Sequence, residues 1–197
     1  MSDIIGPHPS MDVGGFRCFG AALTRSTCYL EYGSGGSTVY ACTVAQVKTI
    51  ISVETDRAWT DKVRATLDGR SSTLLMEHCD IGAVREWGMP INNDRFANFW
   101  KYMVLPWEIA KRHNLVPDTV LIDGRFRVAS FLYSLISARA GTVILFDDYF
   151  DRPEYFVAEQ FCRVSERHER MALFVAAQNY SHQDIAARIA EYSVIWR

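Results

Sequence analysis

The residues best equipped for chemistry fall in a few places along the chain. Glu31-Tyr-Gly-Ser-Gly-Gly-Ser-Thr38 follows an apolar lead-in, Cys28-Tyr29-Leu30. It reads as a buried strand that ends in a carboxylate, turns on glycines and opens a helix capped by hydroxyls. Only glycine lets a backbone pass so close to a ligand. A phosphate would ask for Lys or Arg beside the glycines; this turn holds no basic residue and does hold Glu31. Such a negative crevice suits a cationic adenosine cofactor that lacks phosphates, and S-adenosylmethionine is the obvious candidate. Glu54 stands 23 residues further on, after Val47-Lys-Thr-Ile-Ile-Ser-Val53. A carboxylate at the tip of the second strand has two oxygens with which to accept ribose hydroxyls. An NAD-type site would want G-x-G-x-x-G, but the sixth position of Gly33-Ser-Gly-Gly-Ser-Thr38 is Thr.

Asp123 closes the fourth predicted strand, and Asp147-Asp148 follow the fifth, all on the carboxyl edge where α/β sheets bind ligands. Three roles are open to them. They could take a proton from a reacting hydroxyl, hold Mg²⁺ or another divalent cation, which prefers oxygen ligands, or close turns by bonding to backbone. Arg125 and Arg127 flank Phe126 and either hold an anionic substrate group or pair with Asp123 and Asp147. His113 reads as a surface residue at a helix end, His78 and His168 fare no better as bases, and His8 and His182 have no partner visible in sequence. The five cysteines (18, 28, 42, 79, 162) form no C-x-x-C and read as free thiols of a reducing cytoplasm.

The elements that must position these residues alternate between strand and helix, which predicts βαβ units and a mainly parallel sheet. Strands are expected at 27–32, 47–53, 72–78, 117–123 and 141–146. Helices are expected at 13–25, after the glycines, from Asp56 with Trp59, Val63 and Leu67 on its core face, and at 126–138 with Phe131, Leu132, Leu135 and Ile136 inward. A short helix near 154–160 precedes a hairpin, about 162–167 and 171–175. Ser181-x-x-Asp184 then starts a final helix whose apolar side carries Ile185, Ile189 and Trp196. Residues 83–112 break the rhythm, being too long for a simple crossover. Their aromatic residues suit either a helix covering the sheet or a lid and substrate wall.

Composition sets the outer limits. The 197 residues are 49% apolar and 22% charged, which predicts one globular domain over 1–197. A net charge of −2 argues against nucleic acid, which needs clustered Lys and Arg. No apolar run approaches a membrane span, and the N-terminus is no signal peptide. The expectation is a cytoplasmic protein with a small-molecule partner, its final helix packing on its own sheet or on a second subunit.

Five segments in order resemble the class I S-adenosylmethionine-dependent methyltransferases: Leu30–Thr38, Ser52-Val-Glu-Thr-Asp56, Cys79-Asp-Ile-Gly82, Leu121-Ile-Asp-Gly-Arg125 and Gly141–Tyr149. The resemblance runs over about residues 27–177 and is nearest to small bacterial methyltransferase-like proteins. It implies a Rossmann-like α/β sandwich: a seven-stranded, mainly parallel sheet of order 3-2-1-4-5-7-6, strand seven antiparallel, with helices on both faces. Glu31 would lie near the methionine ammonium, and Gly33, Ser34, Gly35 and Gly36 would line the amino-acid part, with Ser37 and Thr38 completing the loop. Glu54 would bind the ribose, Asp80 and Ile81 the adenine, and Asp123 would also touch the cofactor. Catechol-type relatives place a metal between an Asp after strand four and an Asp-Asn pair after strand five, a layout that Asp123, Asp147 and Asp148 resemble. Asp123-Gly-Arg-Phe126 stands where base- and glutamine-methylating relatives carry an Asn-Pro-Pro-Tyr motif. The function implied is methyl transfer to a small acceptor, most readily on oxygen, with binding of the cofactor without catalysis as the alternative.

Overall fold

The computed structural model describes residues 4–196, so the ends of the expected 1–197 domain lie outside the described residues. In chain order the elements are α1 (Val13–Leu23), β1 (Cys28–Tyr32), α2 (Gly36–Thr43), β2 (Thr49–Glu54), α3 (Arg57–Thr66) and β3 (Thr73–His78). A small antiparallel ribbon follows, β4 (Val84–Arg85) with β5 (Met89–Pro90), and then α4 (Trp100–Arg112). The second half holds β6 (Thr119–Ile122), α5 (Arg127–Ser137), β7 (Val143–Phe146), a 3₁₀ segment at Pro153–Gln160, β8 (Glu166–His168), β9 (Met171–Val175) and α6 (His182–Tyr192).

The large sheet runs β3-β2-β1-β6-β7-β9-β8. With the ribbon set aside, that is strand order 3-2-1-4-5-7-6. β9 lies antiparallel to both its neighbours, while β1, β2, β3, β6 and β7 are mutually parallel. Every residue of β1, β2 and β6 is buried, as strands covered on both faces must be. On one face α1, α2 and α3 pack over Tyr29, Ile50, Leu121 and Leu145. On the other, α4, α5 and α6 pack over Leu30, Tyr32, Val120, Ile144 and Phe146. The apolar side of α6 (Ile185, Ile189) thus packs on the core of its own chain, and Trp196, expected on the same helix, packs there from beyond its end at Tyr192. No helix among the described residues is long and apolar enough to cross a membrane, and all five cysteines are buried and free.

Several local expectations change. The first strand of the hairpin begins at Glu166, not 162, because Arg167 and His168 pair with Ala172 and Met171 across a turn of only two residues. Ile136 is 37% exposed, since Ser134 and Leu135 already fill the inward face of α5 there. Trp59 is also 37% exposed; Thr60 and Val63 of α3, with Leu67 at its C-cap, are buried in its place. The long segment after β3 divides: α4 covers the sheet with Tyr102, Met103 and Trp107 buried, whereas the ribbon before it exposes Trp87.

Candidate functional site

Parallel pairing brings the carboxyl ends of four strands to one edge. The register places Tyr32 beside Val53 and Ile122, and Ile122 beside Phe146. The ladder runs on into the turns, with Gly33 N–H donating to Val53 O, Asp123 N–H to Tyr32 O and Asp147 N–H to Ile122 O. The glycine turn, Glu54, Asp123 and Asp147 therefore open onto one cavity of about 1360 Å³.

The turn is built to be crowded. Gly33 adopts φ +86°, and a β-carbon there would sit 2.9 Å from Gly124 Cα. A β-carbon on Gly124 would fall on the Tyr102 hydroxyl and within 2.8 Å of the backbone at Gly33 and Tyr32. Gly36 approaches the N-terminal segment so closely that its β-carbon would meet His8 O at 2.5 Å. Residues 5–10 thus roof the start of α2, a wall the sequence did not announce. Trp59 Nε1 donates to Ser34 O at 2.8 Å, and its ring lies against Gly35. The exposure of Trp59 follows from this: it leaves the core to cover the turn.

Glu31 does not reach the cavity. It is the fourth residue of a five-residue strand, so alternation turns its side chain into the layer beneath α2. There it is fully buried and accepts from Tyr29, Ser37 and Ser52 hydroxyls at 2.8 Å each, and from Thr38 Oγ1. Burial pushes its carboxyl up to about 7 despite these bonds. Its role is to pin β1, β2 and α2 together under the turn, which corrects the expected contact with an ammonium. Ser37 and Thr38 are committed to the same network, Thr38 Oγ1 also accepting from Gly35 N–H at 2.9 Å.

Glu54 does line the cavity. Its Oε1 accepts from the Thr55 and Asp56 N–H groups at 2.6 and 3.1 Å, and its Oε2 from Ser34 N–H at 3.1 Å. The Ser34 hydroxyl contact to Oε2 is long, 3.4 Å, so one lone pair is available to a ribose hydroxyl. The ribbon lies over this tip: Thr55 Oγ1 donates to Gly88 O at 2.8 Å. Asp80 and Ile81 are not brought to the cavity. Asp80 lines a separate cleft of about 550 Å³ with Arg95 and Trp100, its Oδ1 accepting from Gly82 N–H at 3.0 Å. Ile81 is 1% exposed within the core. The β3 end turns away here, and Trp59 and Trp87 stand at the cavity instead.

The acidic triplet is interleaved with arginines. Arg127 is buried and spends its guanidinium on Gly124 O, Asp147 O, Asp123 O, Asp123 Oδ1 at 2.9 Å and Asp148 Oδ2 at 3.2 Å. Arg152 takes the same Asp148 oxygen at 3.0 Å, and Arg170 Nε lies 3.2 Å from Asp148 Oδ1. Arg170 comes from the β8–β9 turn and is braced by Asp12, the N-cap of α1. Of the two readings of Arg127, pairing holds, with Asp148 rather than Asp147 as its second carboxylate. These contacts overturn the metal expectation for Asp123, Asp147 and Asp148: guanidiniums occupy the positions a cation would take. Among the described residues no group of three His, Cys, Asp or Glu side chains is placed to hold a metal.

Asp147 differs from its neighbours. It is 2% exposed and Oδ1 has no hydrogen-bond partner, its nearest cation being Arg170 Nε at 3.8 Å. Burial, then the charges of Asp123 and Asp148, push its carboxyl up to about 7. Asp123 is likewise raised, first by burial, against the pull of Arg127.

No protein-family model matches the chain, and no curated protein matches it. Among solved structures, a methyltransferase-like protein from Silicibacter pomeroyi DSS-3 superposes with a TM-score of 0.87 at 29% identity, covering 96% of this chain and 98% of that one. The chain has the class I methyltransferase fold and is similar to a methyltransferase-like protein. A proposed O-methyltransferase from Klebsiella pneumoniae (16% identity, TM-score 0.48, covering 85% of this chain and 81% of that one) overlaps too loosely to add to this. For a methyltransferase-like chain, S-adenosylmethionine is the cofactor the fold implies. The tight glycine turn, the spare Glu54 lone pair and the Trp59 ring fit a nucleoside of that kind.

Proposed function

We propose that this methyltransferase-like protein transfers a methyl group from S-adenosylmethionine to an oxygen of a small acceptor. The observation that carries the reading is the single cavity shared by the Gly33–Gly36 turn and the unpartnered Asp147 Oδ1. When bound, the cofactor supplies a methyl on a sulfonium that is already a good leaving group. The protein is then asked to align a nucleophile and take its proton. Glu54 would accept a ribose hydroxyl in place of the long Ser34 contact, while Gly33, Ser34, Gly35 and Gly36 line the amino-acid portion. Asp123, its oxygens held by Arg127, shapes the floor between the two halves. Asp147 accepts the acceptor's proton: a carboxyl near 7 is matched to the pH at which it would work. The ribbon with Trp87, and residues 5–10 opposite, act as the lid and far wall.

Calorimetric titration with S-adenosylhomocysteine tests the cofactor half. Wild type should bind, and Glu54→Ala should bind at least tenfold more weakly. Absence of binding by wild type overturns the reading. The acceptor half is tested with hydroxyl compounds and labelled cofactor: Asp147→Asn should bind S-adenosylhomocysteine normally and lose transfer. Binding without turnover of any acceptor would leave the non-catalytic alternative.

A further inference from the structure

Five of the cavity's basic side chains are arginines, and four have something to hold. Arg127, Arg152 and Arg170 are tied to Asp123, Asp147 and Asp148, and Arg85 lies over the Trp196 ring. Arg125 is the exception. Its guanidinium forms no hydrogen bond and no ion pair among the described residues, and its Nε is buried without a partner. A buried donor left unmade costs the desolvation of a charged group, so an arrangement like this marks a place for a ligand acceptor.

The position of Arg125 says which ligand. Arg125 follows Gly124, against which the Tyr102 hydroxyl packs. Burial and the neighbouring Arg127 disfavour its charge, and among the groups around it, which include Tyr102 and Tyr155, Asp123 is a carboxylate that favours it. Tyr155 belongs to the 3₁₀ segment after β7, and β7 is separated in the sheet by β6 and β1 from β2, whose tip carries Glu54. In the proposed reading the amino-acid part of the cofactor lies along the Gly33–Gly36 turn at the start of α2, where helix N–H groups attract anions. The arginine after β6 is left for the other reactant.

Building on the proposed methyl transfer, we propose that the acceptor carries a carboxylate, that Arg125 seats it, and that this seating presents the acceptor's hydroxyl to Asp147 Oδ1. The preference for Arg is physical, since its planar fork matches a carboxylate with two parallel bonds. Charge also suits the seat: among the described residues Arg125 makes no ion pair with an aspartate, whereas Arg127, Arg152 and Arg170 do.

The test uses two rigid probes of matched size, benzoate and benzyl alcohol, titrated into the full chain with and without saturating S-adenosylhomocysteine. Wild type should prefer benzoate by at least tenfold, Arg125→Gln should abolish the preference, and Arg125→Lys should keep part of it. The S-adenosylhomocysteine affinity of Arg125→Gln should stay within about twofold of wild type. Equal binding of the two probes by wild type, or a preference that survives Arg125→Gln, overturns the proposal. So does a tenfold loss of S-adenosylhomocysteine in Arg125→Gln with 5′-methylthioadenosine unaffected, which would give the arginine to the cofactor's own carboxylate. Failure of wild type to bind S-adenosylhomocysteine would sink the methyl-transfer reading separately, and the benzoate preference of the cofactor-free protein would still judge the seat.

Discussion

Replacing Glu31 by Gln probes the buried network under the glycine turn without changing its size. The carboxyl moves from an ordinary 4.5 to about 7 because burial outweighs four hydroxyl hydrogen bonds. Between those values the folded chain keeps a proton that the unfolded chain has released, so stability falls as pH rises through this window. At about 1.4 kcal/mol per pH unit, wild type loses roughly 2 kcal/mol through this group between about pH 5.5 and pH 8. Gln cannot ionise, and the surrounding hydroxyls can rotate to accept from its amide. Any fixed cost of the exchange is therefore the same at both pH values, and Asp147, raised in the same direction, contributes equally to both proteins. Urea unfolding of each protein at the two pH values reads the difference directly. Glu31→Gln should gain roughly 2 kcal/mol on wild type in going from pH 5.5 to pH 8. A stability difference that does not change with pH would refute the claim that Glu31 is held near neutrality by burial, and would return it to the solvated crevice that its sequence position suggested.

Other outcomes follow from the same contacts. Gly124→Ala should cost about 3 kcal/mol in urea unfolding, because its β-carbon meets buried Tyr102 and two backbone segments; Tyr102→Phe in the same chain should recover only part, since the backbone contacts at 2.8 Å remain. Trp59→Ala should weaken S-adenosylhomocysteine binding several-fold by calorimetry with little change in unfolding midpoint, the ring being half outside the core. Arg127→Met should destabilise the fold by about 3 kcal/mol or more, because it leaves Asp123 and Asp148 without their buried partner. Methyl transfer should rise through about pH 7 as Asp147 loses its proton and flatten above it; chelator treatment should leave the rate unchanged, with loss of activity in EDTA counting against the arginine-filled site.

Much of the framework was legible before any coordinates. The apolar runs, their spacing and the Asp56 and Ser181 caps are local features, and local features carry the element order and with it the mainly parallel sheet. Because parallel strands align their carboxyl ends, the same reading placed Glu54, Asp123 and Asp147 on one edge. What sequence could not carry is direction and company. Glu31 sits one residue before the end of β1, and a shift of one residue in a strand exchanges the two faces of the sheet; only the packed structure shows it under α2 among hydroxyls. One partner of the aspartates, Arg170, comes from the last hairpin and is itself braced by Asp12 before the first helix, and no spacing rule connects residues separated by 158 positions. Trp59 has the period of a core residue and the environment of a wall, because a neighbouring glycine turn offers its indole a carbonyl that the core does not. Sequence determined which strands form and where their tips meet; tertiary packing alone decided which charges at those tips are already satisfied and which atoms, Asp147 Oδ1 and Arg125 Nε, are buried without a hydrogen-bond partner.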